Sequence, residues 1–205
     1  MTTMTRSRIG DRIFLVRFET QYALASSFLR FQEHYESSRF RNRVFSLEQF
    51  MDWYAARSGA FTYYEDWSGF NVPSTAFAPF YQGRFDPLLE KEKRLLRLFE
   101  RESTPFYVIG IAADQSLTHE LAHALFFTRP AYRQAVRDAM RPYDTAAIRK
   151  RLMALGYHRS VLTDEVHAYL IAGIEALGGS VRGPVALKRQ LRAIYREHSA
   201  GLPRS

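Results

Sequence analysis

Apolar positions recur along this chain with two periods, and the switches between them divide it into elements. RIFLVRFE (12–19) is β-branched and aromatic, which predicts a strand. TQYALASSFLRFQEHYES (20–37) then sets Tyr22, Leu24, Phe28, Phe31 and Tyr35 near helical spacing. SLEQFMDWYAAR (46–57) opens with Ser46 and Gln49, a capping-box pair able to satisfy free amides of a first helical turn, and Gly59 is placed to end that helix. AFTYYEDWSGFNVPSTAFAPFYQGRFDP (60–87) is broken by Gly69, Pro73, Pro79, Gly83 and Pro87, so it predicts one or two short strands among ordered loops. Its many rings form either an aromatic cap on the core or the wall of a groove for an extended substrate.

Asp86-Pro87 reads as the N-cap and first residue of a charged helix over 86–101. TPFYVIGIAA (104–113) is the clearest strand, since Phe106 to Ile111 is nearly free of polar residues. It leads into SLTHELAHALFFT (116–128), a helix beginning after Asp114 or Ser116 and stopped by Arg129-Pro130. Further helices are expected at 130–141, 145–155 and 161–177, with Gly156 and Gly178-Gly179 marking ends, and from Pro184 to about His198. The pattern as a whole predicts an α+β fold, mostly helical, with a few strands near the front, and no internal repeat is visible.

Composition narrows this picture. A chain of 205 residues, 46% apolar and 15% aromatic, can bury a sizeable core, and it reads as one domain over 1–205. It contains no cysteine, so a metal site would have to use His, Asp and Glu. The basic start MTTMTRSRIGDRIFLVRF is interrupted by Arg12 and Arg17 and lacks a small-residue cleavage site, and no apolar run reaches the roughly 18–20 residues of a membrane span. A cytoplasmic protein without a membrane partner is the expectation. The net charge of +8 is spread over helical patterns and reads first as solvated faces. In KRQLRAIYREH (188–198), Lys188, Arg192 and Tyr195 fall on one side of the helix, with Leu191 and Ile194 near the opposite one. A non-catalytic basic module that binds nucleic acid is the reading this charge would support, but no nucleic-acid-binding motif accompanies it.

Within 116–128 stands His119-Glu120-Leu121-Ala122-His123. Residues four apart share a helix face, so His119 and His123 can reach one ion from successive turns. Glu120 lies about 100° round from His119, where it can act on a metal-activated water as general base without ligating. H-E-x-x-H should arise by chance on the order of once in a hundred chains of this size. Leu117, Leu121, Ala124, Leu125 and Phe126 make the helix otherwise apolar, and polar groups in such a helix must be satisfied. Position 126 is Phe and 129 is Arg, so the HExxHxxGxxH pattern is absent. The same residues allow another reading. Glu120-x-x-His123 and Asp164-x-x-His167 are carboxylate-x-x-His pairs of the kind found in di-iron carboxylate oxidoreductases, although no Glu lies between His123 and Asp164 and His119 would then have no role.

In VLTDEVHAYLIAGIEAL (161–177), Leu162, Val166, Tyr169, Leu170, Gly173, Ile174 and Leu177 define a buried helix that Asp164, Glu165 and His167 interrupt. With this second helix, the chain resembles the gluzincin branch of the HExxH zincin superfamily of metallopeptidases, in which a Glu on a downstream helix completes the site. Glu165, followed by Ala168, matches that local pattern at 42 residues from His123. The resemblance implies a zincin-like fold with a small sheet next to the motif helix, and hydrolysis of peptide bonds in a peptide or protein substrate. It further implies one zinc ion per chain, held by His119, His123 and Glu165, with Glu120 as base. His167, on the other edge of the apolar stripe, competes with Glu165 as third ligand. The family's ExxxD continuation is missing: Tyr169 stands where an Asp would orient a metal-binding His, and Asp164 is a poor-angle substitute. Tyr169, one turn beyond Glu165, is the first candidate to stabilise an oxyanion, followed by Tyr157 and His158. Strand 105–111 is the candidate edge for an extended substrate. His34 and His198 have no motif around them and read as surface residues.

Overall fold

The computed structural model describes residues 4–103, 105–112, 117–178 and 181–203, and in it the first helix is buried continuously from Ala23 to Gln32 while Tyr22 is exposed. The architecture is α+β, 56% helical, with one four-stranded sheet. Contacts group the chain into two units, Met1–Tyr35 with Phe40–Gln115, and Glu36–Arg39 with Ser116–Ser205. Among the described residues, no helix is long and apolar enough to cross a membrane.

The first unit contains the sheet. Its strands are β1 (Met4–Gly10), β2 (Ile13–Phe18), β3 (Gly69–Pro73) and β4 (Tyr107–Ala112), in the order β1-β2-β4-β3. β2 and β4 are parallel, and the two outer pairings are antiparallel. Every residue of β4 is buried, as its unbroken apolar run requires. This corrects the expectation that 105–111 forms an edge, because β2 occupies one side of β4 and β3 the other. Helix α1 (Gln21–Glu36) lies against the sheet at Gly110, where a Cβ would come within 2.6 Å of the Phe28 ring and 2.8 Å of the Leu24 methyl, so a larger residue would force these buried side chains to move.

Helix α2 (Leu47–Ser58) has the expected capping box, with Ser46 and Gln49 bonded reciprocally, and ends at Gly59 in the left-handed region (φ 86°). Between it and β4 lie the short helices α3 (Tyr63–Asp66) and α4 (Ala78–Tyr81), then α5 (Glu90–Arg97). The rings of the 60–87 segment belong to the core: Tyr63, Phe70, Phe77, Phe80 and Phe85 are all buried. Asp86-Pro87 is not a helix start, since α5 begins at Glu90. Glu92 sets that start by accepting the Leu89 N–H at 2.9 Å while its carboxylate pairs with buried Arg30. His34 is also buried, its Nδ1 2.9 Å from the Arg43 carbonyl, so its lack of a motif did not make it a surface residue.

The second unit is helical: α6 (Thr118–Thr128), α7 (Pro130–Met140), α8 (Ala146–Leu155), α9 (Leu162–Ala172) and α10 (Val185–His198). α6 packs against α9 and α7, and α9 also meets α8 and α10. The helix expected over 161–177 stops at Gly173, whose φ of 155° an L-residue rarely adopts, and 174–177 continues as a tighter turn. On α10, Tyr195 joins Leu187 and Leu191 on the buried face instead of lying with Lys188 and Arg192. The stretch 36–39 joins this unit through main-chain bonds from Ser38 N to the Gly156 carbonyl and from His158 N to the Glu36 carbonyl.

Candidate metal centre

α6 is apolar around most of its circumference and is correspondingly buried, with Leu121, Ala122, Ala124 and Leu125 fully enclosed. Glu120 and His123 are carried into that interior, and His119 remains partly exposed one turn earlier. α9 is equally apolar and presents Asp164, Glu165 and His167 from its first two turns, Glu165 being 3% and His167 0% exposed.

The packing of these two helices brings His119, His123 and Glu165 together, with one potential ligand atom from each lying within 4.8 Å of the others. The Nε2 atoms of His119 and His123 are 3.1 Å apart. Glu165 Oε1 is 3.7 Å from His123 Nε2, and Oε2 is 4.0 Å from His119 Nε2. Tetrahedral bonds of about 2.0–2.1 Å would separate ligand atoms by roughly 3.3 Å, and this His-His-Glu group is close enough together that it could hold a metal ion. His167 is elsewhere: its ring stacks on Phe126 at 4.9 Å, with the centroid of His123 6.1 Å away.

Electrostatics favours a cation at this place. Burial lowers His119 well below the ordinary histidine value, with His123 adding to the effect, and burial lowers His123 to about 3. Both imidazoles are therefore neutral at physiological pH, the form that ligates metals. Glu165 is pushed well up, by burial first and then by Glu36, Asp164 and Glu120. Four carboxyl groups around one buried point repel each other's charge, and a divalent cation is what would let them ionise together. Glu165 Oε2 is also buried without a hydrogen-bond partner among the described residues.

Sequence spacing gives Asp164 a poor angle toward a metal-binding His, and the structure brings it close to His123 without hydrogen-bond alignment. Its Oδ1 lies 2.9 Å from His123 Nδ1 and 3.4 Å from His167 Nδ1. The shorter contact is at hydrogen-bond distance without hydrogen-bond alignment, and neither atom makes a hydrogen bond among the described residues. Asp164 therefore faces the nitrogen of His123 opposite to the one turned toward His119 and Glu165. Burial raises Asp164 to about 7, against the pull of His167 and Arg133. For the paired carboxylate-x-x-His reading, this orientation sets Asp164 behind His123 and His167 among aromatic rings.

Tyr169 is close to the cluster, its ring centroid 4.6 Å from that of His119. Its hydroxyl is 3.3 Å from the Tyr157 hydroxyl, so two of the three oxyanion candidates meet. His158 turns instead to Ser160, 2.9 Å from its Oγ. Burial raises both tyrosines, with Glu165 adding to the effect, so each phenol keeps its proton. Sequence reasoning did not find Glu36, which acts on Glu165 across 129 residues of chain, through the bridge that pairs Ser37 with Tyr157. No local pattern at Glu36 signals that role. No family model, curated protein or solved structure matches this chain.

Proposed function

We propose that the second unit is a zinc-dependent metallopeptidase of gluzincin-like type, with His119, His123 and Glu165 as the ligands of one zinc ion. The observation that carries this reading is the convergence of those three side chains, from helices whose remaining positions are apolar, onto one point. Zinc bound there would supply Lewis acidity, lowering the pKa of its water to around 7 and polarising the scissile carbonyl. Glu120, one residue after His119 and buried beside the cluster, takes the proton of the attacking water and delivers it to the leaving amine. Tyr169 donates its phenolic proton in a hydrogen bond to the developing oxyanion. A peptide or protein is the substrate class that this chemistry serves.

Protein purified without added metal should carry about one zinc per chain, and both His119→Ala and Glu165→Ala should lose it. Glu120→Gln should keep the zinc while peptide cleavage, read on a mixed peptide library, falls by about 10²–10⁴-fold. Two irons per chain, or no metal, would overturn the reading.

A further inference from the structure

In the pattern this chain resembles, an Asp four residues after the ligand Glu orients a metal-binding His; here that position is Tyr169, whose hydroxyl meets Tyr157. We infer that Asp164, the residue immediately before the third ligand, is the positioning residue for His123, itself held in place by His167. This inference rests on the reading of His123 as a zinc ligand.

Successive residues of α9 are about 100° apart, so Asp164 and Glu165 leave the helix in different directions. His123 lies between them: Glu165 Oε1 is 3.7 Å from Nε2, and Asp164 Oδ1 is 2.9 Å from Nδ1. Two consecutive carboxylates on one helix thus address the two nitrogens of one imidazole. An acceptor on Nδ1–H holds the proton there and leaves the Nε2 lone pair facing His119 and Glu165, which is the tautomer a metal requires.

Burial makes this partnership obligatory. The His123 side chain is 1% and that of Asp164 13% exposed, and neither contacting atom makes a hydrogen bond among the described residues. A buried carboxylate oxygen without a donor is costly, and the two imidazoles are the donors within reach. His167 Nδ1 is 3.4 Å from the same Oδ1, and its ring is fixed by stacking on Phe126 and by the edge of Tyr132 at 5.8 Å. Asp164 is therefore gripped between a candidate ligand and a histidine that is fully enclosed.

Asp164→Asn keeps the volume but loses the charge, and it should weaken zinc binding by about 10–100-fold, measured by competition against a chromophoric chelator. The visible spectrum of the cobalt(II)-substituted variant should shift from that of the wild type, which a loss of general stability would not produce. Asp164→Glu, which restores the carboxylate, should recover part of the affinity. Nitrogen-15 spectra of the wild-type zinc form, which need no variant to fold, should show His123 protonated on Nδ1 and metal-bound through Nε2. If wild type binds one zinc and Glu165→Ala loses it, while Asp164→Asn keeps wild-type affinity and an unchanged cobalt spectrum, the positioning role fails and the zinc reading stands. His123 bound through Nδ1 would likewise overturn the inference. Absence of zinc from the wild type would remove the reading on which it rests.

Discussion

The hydroxyls of Tyr157 and Tyr169, 3.3 Å apart beside the His119 ring, carry a division of labour that the residue types alone do not decide. In the proposed reaction the Tyr169 phenol, whose ring contacts that of His119, would be the donor to a substrate oxygen, with the Tyr157 hydroxyl as its 3.3 Å neighbour. Because burial keeps both protonated, Tyr169 acts as a hydrogen-bond donor and not as an acid that gives up its proton. Tyr169→Phe should lower kcat by roughly 10²–10³-fold, the cost of removing one oxyanion donor, and leave KM and zinc content near wild type. Tyr157→Phe should cost less, since it loosens the donor without removing it. Steady-state kinetics of both variants on one peptide would check the order, and equal kcat for Tyr169→Phe and wild type would exclude the donor role.

At the scale of elements, the arginines of the second unit show how helix ends are satisfied. Arg133 donates to the Phe126 and Phe127 carbonyls at the end of α6, at 2.9 and 3.1 Å. Arg192 donates to the Ile171 carbonyl at the end of α9, Arg151 to that of Leu177, and Arg129 to that of His198 at the end of α10. Terminal carbonyls lack intrahelical donors and carry the negative end of the helix dipole, so guanidinium groups from neighbouring segments are suited to them. Part of the basic excess that read as solvated faces is therefore internal capping. Arg133→Ala removes two such bonds from the helix bearing His119 and His123 and should destabilise the protein by about 1–2 kcal/mol, read as a lower urea midpoint. An unchanged midpoint would show that water replaces the guanidinium without loss.

This scale also separates what sequence could tell from what it could not. α2 is legible because period and caps agree, at Ser46, Gln49 and Gly59, and α1, β4 and α6 are legible from their apolar content. β1 was not, because Thr5 to Arg8 are exposed and polar and only pairing with β2 makes them a strand. The true start of α5 depends on Glu92 meeting Arg30 from α1, a contact 62 residues distant in sequence. In the site, spacing along α6 puts His119 and His123 on one face, Glu165 comes from the resemblance to the gluzincin pattern, and the structure brings the three together. The 2.9 Å approach of Asp164 to His123 depends on where a ring on another helix presents its second nitrogen, which spacing along one helix does not give, and the contact keeps the poor angle that spacing predicts. Glu36 was out of reach because it arrives by a main-chain bridge and not by a pattern.

Across the whole molecule, charge and chemistry are distributed unequally. The first unit has 14 Lys and Arg against 13 Asp and Glu, whereas the second has 15 against 8. Of those eight, Glu36, Glu120, Asp164 and Glu165 are the carboxyls gathered around the candidate metal centre. The second unit thus gathers half its carboxyl groups at one internal point, where burial and mutual repulsion favour their protonated forms and a cation would favour the ionised ones. Its stability should depend on zinc by simple mass action: a ligand held at about 1,000 times its Kd stabilises the bound form by roughly 4 kcal/mol. The proposed ligands lie on α6 and α9 alone, so chelation should raise amide hydrogen exchange most in those helices. Strands β2 and β4, which carry none of these groups, serve as the reference within the same sample. Hydrogen exchange followed by mass spectrometry, with and without chelator, should therefore show deprotection centred on 118–128 and 162–172 that added zinc reverses. Exchange in those peptides that is indifferent to both treatments would mean that the packing of α6 on α9 bears the carboxyl cluster unaided, and that no metal contributes to holding the fold.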